Sequence, residues 1–227
     1  MKKILRGILV GMIGLSLTIA MGCATQHTMS KTGFLKDYTG FKPGPEGGAD
    51  FVYFKEDVDF SEYDKVMVDH VVFYFKEDSA YKGIHADEMK ELADAFHGAI
   101  AEALKDGYPL VDKSGPGVLR IRAAITDVVP SKPALNTIST ILPVGLAIST
   151  IKKGATGVHA NVGQASIEAE LMDSQTNERL GAAIDTKVAE KYKLIEGMSK
   201  WGHVKDAFKF WANRLRIVLD EAHGKKT

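Results

Sequence analysis

VGQASIEAELM (162–172), DSQTNE (173–178) and RLGAAIDTKV (179–188) form the stretch on which the fold turns. In the first segment Ala165, Ile167, Ala169 and Leu171 alternate with Gln164, Ser166, Glu168 and Glu170, the two-residue period of a strand with unlike faces. The second segment is a run of turn formers, and the third alternates again. Together they predict an antiparallel hairpin in which Glu168 and Glu170 lie across from Arg179 or Lys187.

Upstream, Val118 to Val129 alternates in the same way. Leu119, Ile121, Ala123 and Ile125 oppose Arg120, Arg122, Ala124 and Thr126, which predicts a strand with one wet face. On that face Arg120 and Arg122, set against Glu168 and Glu170, predict a solvated salt-bridge ladder, with an anion-binding patch as the alternative. Val66 to Phe75 (VMVDHVVFYF) is nearly apolar throughout and predicts a central strand buried on both faces. Between them, Asp87 to Lys105 places Met89, Leu92, Ala93, Phe96, Ile100, Ala103 and Leu104 at spacings of three and four, an amphipathic helix that stops before Gly107-Tyr108-Pro109. Trp201, Val204, Phe208, Trp211, Leu215 and Val218 mark a last helix, with Ser199 as its cap.

The order is therefore β-α-β-insertion-β-β-α. Its economical packing is an α+β two-layer sandwich, with a roughly four-stranded, mainly antiparallel sheet and two helices on one face. The insertion, Pro133 to Ile151, contains no charged residue and is followed by Lys152-Lys153 and a Gly-rich return to about residue 161. It approaches spanning length, but Pro143 sits at its middle. A helical hairpin over the sheet is the plain reading. Ile138, Ile141, Leu142, Val144, Leu146, Ile148 and Ile151 are the candidate residues for contact with a partner or with lipid.

The N-terminus has a different logic. Lys2, Lys3 and Arg6 precede an apolar run, Ile8 to Ala20, that ends at Ala20-Met21-Gly22-Cys23. This pattern predicts a signal peptide over residues 1–22 and lipidation of Cys23, the only cysteine of the 227 residues. No internal disulfide is then available, and acyl chains on Cys23 supply the membrane contact. Ala24 follows where Asp would signal inner-membrane retention, so the expected place is the outer membrane, facing the periplasm. Removing Lys2, Lys3 and Arg6 leaves 26 basic against 29 acidic residues, a formal charge of −3 that argues against nucleic acid as a partner. Residues 23–48 read as a lipidated N-terminus and tether, part of which lies against the domain because Gly33-Phe34-Leu35-Lys36-Asp37-Tyr38 is more apolar than a linker needs. Residues 49–224 fit one domain.

Gly33-Phe34-Leu35 with Asp37-Tyr38, Tyr63 to Asp69, Asp106 to Pro133, Gly163 to Glu170 and Gly197 to Gly202 together resemble a family of uncharacterised bacterial lipoproteins, domain of unknown function 3313. The resemblance runs along nearly the whole mature chain. It implies an envelope location and brings no activity, ligand or catalytic residue with it.

Motifs of chemistry are sparse. Phosphate-loop and dinucleotide glycine patterns are absent, and Gly115-Pro116-Gly117 suits a turn. Ser149 and Lys152 have a Ser-x-x-Lys spacing, with Lys31-Thr32-Gly33 as a second fragment, but the order is wrong for a penicillin-binding enzyme. His27, His70, His85, His97, His159, His203 and His223 are scattered without the paired spacing of a metal site, so no cofactor or metal is expected. The acidic Asp87, Glu88, Glu91 and Asp94 suit the start of a helix.

Three classes of function follow. The favoured one is a non-catalytic structural or assembly component of an envelope complex, with protein partners or self-association. The alternative is a carrier of a lipid or small apolar molecule, with a cavity lined by residues such as Phe73, Phe75, Phe96, Phe208 and Trp211. The third, an enzyme, needs converging ionisable groups that the sequence does not display.

Overall fold

The computed structural model describes residues 28–75, 83–130, 163–188 and 199–225. Its strands are β1 (Lys42–Pro43), β2 (Phe51–Phe54), β3 (Lys65–Val68), β4 (Val72–Phe73), β5 (Val118–Val129), β6 (Gln164–Asp173) and β7 (Arg179–Val188). Helices α1 (Ala86–Leu104) and α2 (Gly202–Ala222) complete the frame. The sheet order is β1-β2-β7-β6-β5-β3, with β4 also pairing β5.

The β6–β7 hairpin is antiparallel, as its alternation demands, and β5 pairs antiparallel with β6. The expected sheet of four mainly antiparallel strands is corrected in two places. At one edge β1 and β2 add antiparallel to β7, two short strands from a segment rich in Pro and Gly. At the other edge Val66 to Phe75 is split into β3 and β4, and both pair parallel with β5, giving a mixed seven-stranded sheet. The stretch is thus an edge rather than a centre. Asp69 interrupts it because its carboxylate is held by Arg120, whose Nε donates to both oxygens at 3.0 and 3.2 Å and whose Nη2 donates at 2.7 Å, and the run resumes only at Val72.

Both helices pack on the face that presents Leu119, Ile121, Ile125 and Ile167. Leu92, Phe96, Ile100 and Leu104, four residues apart, form the buried stripe of α1. The α2 stripe runs through Val204, Phe208 and Trp211, and Phe96 stacks on Phe208 with ring centroids 4.7 Å apart. Glu88 ties the helix starts together: one oxygen pairs with Lys200 Nζ at 2.6 Å and accepts from Trp201 Nε1 at 2.9 Å. Burial opposes ionisation of Glu88, yet these hydrogen bonds hold its carboxyl below its ordinary value. Ser199 does not cap α2 with its side chain; Trp201 holds the cap position without a side-chain bond.

The opposite face is not wet. Phe34 and Leu35 are buried against Ala124, Ala182 and Ile184, with Met29, Tyr38 and Phe41 packed around them. Alternation identified the two faces but not this cover.

Candidate functional site

On that second face the polar side chains of β6 hold the incoming chain. Glu168, 1% exposed, accepts the Thr32 amide at 2.8 Å on one oxygen. Its other oxygen accepts the Leu35 amide at 3.3 Å and the Tyr38 hydroxyl at 2.8 Å. The Tyr38 oxygen in turn accepts the Gly33 amide at 2.7 Å. Burial, and then the bond to Glu168, raises the Tyr38 phenol above its ordinary value. The turn that makes this possible has Gly33 at φ +98° and Lys36 donating its amide to the Gly33 carbonyl at 3.2 Å. Only glycine adopts such a φ without strain.

Glu170, 3% exposed, completes the clamp. It pairs with Arg122 on one oxygen and with Arg179 Nε at 2.8 Å on the other. Arg179 then donates to the carbonyl of Asp37 at 2.7 Å and to that of Leu35, while the Arg122 guanidinium lies 5.2 Å from the centre of the Phe34 ring. The expected ladder keeps Glu170 with Arg122 and Arg179, but it is buried rather than solvated, Arg120 pairs with Asp69 instead, and Glu168 binds backbone amides. An anionic ligand would find these arginines already paired, which removes the reason for the anion patch.

On the helix face, register creates a gap. Ala123 pairs with Ala169, Ala169 with Ala183, and Ala183 with Val52, so one row across four strands carries three methyl side chains. Above it lies a cavity of about 180 Å³, walled by Phe96, Trp211, Leu215 and Val218 and rimmed by Phe54 and Arg214. Of the five residues expected to line such a cavity, Phe96 and Trp211 do so. Phe208 is core, and Phe73 and Phe75 pack on each other with centroids 5.2 Å apart, away from it.

The histidines mostly stay apart. His70 and His97 stack with centroids 5.6 Å apart, and His223 Nδ1 lies 2.8 Å from the Leu219 carbonyl. Among the described residues, His, Cys, Asp and Glu form no group of three or more able to hold a metal ion. Tyr108 is buried and donates to Asp220 at 2.9 Å, its phenol pushed up by burial first and by Asp220 second. Asp220 also pairs with Arg216 at 2.6 Å; burial opposes its ionisation, but these two hydrogen bonds keep its carboxyl below the ordinary value. This latch closes the C-terminal end of α2. Cys23, His27, His159, the Ser149–Lys152 pair and the insertion residues Ile138, Ile141, Leu142, Val144, Leu146, Ile148 and Ile151 lie outside the described residues.

The family described as protein of unknown function (DUF3313) matches residues 30–215. The chain belongs to this family. The match begins just ahead of the Gly33 turn and ends within α2, so the clamp and all of the named cavity wall except Val218 lie inside the DUF3313 region. The uncharacterized lipoprotein YdcL of Escherichia coli K12 is 28% identical over 174 residues, 74% of each chain. Among solved structures, a PelC dodecamer from Paraburkholderia phytofirmans covers 72% of this chain and 96% of its own at 9% identity and a TM-score of 0.39. A DUF4136 family protein from Bacteroides thetaiotaomicron covers 76% and 95%, at 11% identity and the same TM-score.

Proposed function

We propose that this DUF3313 protein is an envelope lipoprotein, anchored through acylated Cys23 to the periplasmic face of the outer membrane, that works without catalysis as a structural or assembly component held close to the bilayer. The leader sequence and the lipoprotein name of its relative support the anchor. The clamp carries the rest. A free tether from Cys23 to Gly48 would reach roughly 90 Å when extended, but Thr32, the first residue that Glu168 holds, stands nine residues beyond Cys23. The leash is then at most about 30 Å. So short a leash orients one side of the domain toward the bilayer, as suits a part of a membrane-bound assembly better than a freely sampling carrier.

The test is partner capture from native membranes by crosslinking, comparing wild type with a chain carrying 20 Gly/Ser residues inserted after His27. The proposal expects a protein partner in fixed ratio with wild type and its loss from the lengthened chain, with both chains still in the membrane fraction. Equal capture by both, or none by either, contradicts it.

A second reading, binding of a small apolar ligand, is favoured by the cavity over the alanine row.

A further inference from the structure

The two layers do not close over the middle of the sheet. β6 is an interior strand, yet its helix-facing Ala169 and Leu171, and Ala183 beside them on β7, are only half-buried. Their neighbours on the clamp face, Glu168, Glu170 and Ala182, are fully buried. The opening follows from side-chain size, because the flanking rows carry Ile121 with Leu171 on one side and Ile125 with Ile167 on the other, while the middle row carries methyl groups. A helix that rests on the taller rows bridges the shorter one. The resulting space, about 180 Å³, exceeds the apolar cavities of about 150 Å³ that stay dry and take up benzene.

The chemistry of its wall is carbon with three charged exceptions. Glu170 is already held by Arg122 and Arg179. Asp185 is already satisfied: it accepts the Asp50 amide at 2.9 Å and the Trp211 indole N–H, and it pairs with Lys187 at 3.2 Å. Arg214 is not. Phe210, Arg214 and Val218 succeed one another at four-residue spacing on α2, all lining the cavity, so the arginine stem runs along an apolar wall. It is half-buried and has no ion pair or hydrogen bond among the described residues, whereas Arg216, two residues on, is held by Asp220. Phe54, which also lines the cavity, is 48% exposed, so the cavity reaches the surface.

A narrow carbon-lined slot with one unpaired guanidinium at its mouth is complementary to a single alkyl chain ending in a carboxylate, which a guanidinium binds through two parallel hydrogen bonds. Resting on the second reading above, we infer that the cavity binds one medium-chain fatty acid, its chain over Ala123, Ala169 and Ala183 and its carboxylate on Arg214.

The test titrates octanoate and 1-octanol into the mature chain carrying Cys23→Ser, free of acyl groups and detergent, by calorimetry. Octanoate should bind, and R214Q should weaken it about tenfold or more while leaving 1-octanol within about twofold. A183L, which places a side chain in the slot, should abolish both. V218W blocks the cavity from the helix and repeats that arm should A183L fail to fold, with far-ultraviolet circular dichroism as the folding control. Uptake of both probes with no response to R214Q overturns the fatty acid and leaves the apolar-ligand reading standing. No uptake of either, or unchanged uptake in both blocked variants, overturns both. Uptake only after deletion of residues 133–151 assigns the slot to that stretch of the chain and also overturns the fatty acid.

Discussion

The two faces of the sheet are covered by opposite means. One carries two amphipathic helices and is apolar in composition, yet it leaves a gap over Ala123, Ala169 and Ala183. The other carries irregular chain and two buried glutamates, yet its polar groups are matched almost one for one. Close packing is thus not the property of the apolar face alone. Two regular cylinders on a twisted sheet meet it only where side chains are tall enough, whereas a flexible segment adapts to the surface residue by residue. A cavity lies under the rigid layer, and the attachment of the N-terminal segment lies under the adaptable one.

The largest effect expected from breaking this contrast is at Phe208, buried between the helices and stacked on Phe96. Phe208→Ala should lower the urea-unfolding free energy by about 3–5 kcal/mol in a single cooperative transition. Glu168→Ala should cost less, about 1–3 kcal/mol, because it strands two backbone amides and the Tyr38 hydroxyl. Its loss should also be local: trypsin should cut at Lys31 or Lys36 in the variant and spare them in wild type, with the rest of the domain resistant. The same substitution on each face sharpens the comparison further. Ala124→Leu, where the side chain is fully covered by the N-terminal segment, should cost about 1–3 kcal/mol through overpacking, whereas Ala183→Leu, over the gap, should stay within about 0.5 kcal/mol of wild type.

The smallest effect is a separation by pH. Glu88 and Asp220, both on the helix face, have carboxyls lowered in the folded state. Their stabilisation is present above the ordinary carboxylate range, about pH 4, and is lost as pH falls through their folded values. Tyr38, on the clamp face, is raised, so its contribution is complete below about pH 10 and is lost as pH climbs through its folded value. Acid should therefore loosen the helix layer first and alkali the N-terminal segment first, as read by tryptophan emission and by trypsin sensitivity respectively.

Much of the frame is legible in the residues. The hairpin, β5 and both helices are long enough for their periods to be unambiguous. β1 and β2, with two and four residues among Pro and Gly, have no period to read. Val66 to Phe75 misleads because a β-branched run also suits a parallel edge, and Asp69 breaks the run only through a partner, Arg120, on another strand. The clamp was half legible: Phe34 and Leu35 were too apolar for a linker, but the acceptor that holds them lies more than 130 residues away. Of the cavity, only Phe96 and Trp211 in its wall were legible; its floor was not, since alanines at 123, 169 and 183 line up only once the register of three strands is known.

Hydrogen exchange at the amides of Thr32 and Leu35 in the native, membrane-bound protein decides whether the clamp holds the domain near its anchor. If Glu168 ends the leash there, both amides exchange as slowly as those of β6, and Glu168→Ala alone returns them to the rate of free chain. Exchange at the free-chain rate in the wild-type protein would mean that the segment is a long, loose tether, and the account of a domain held close to its membrane would be wrong.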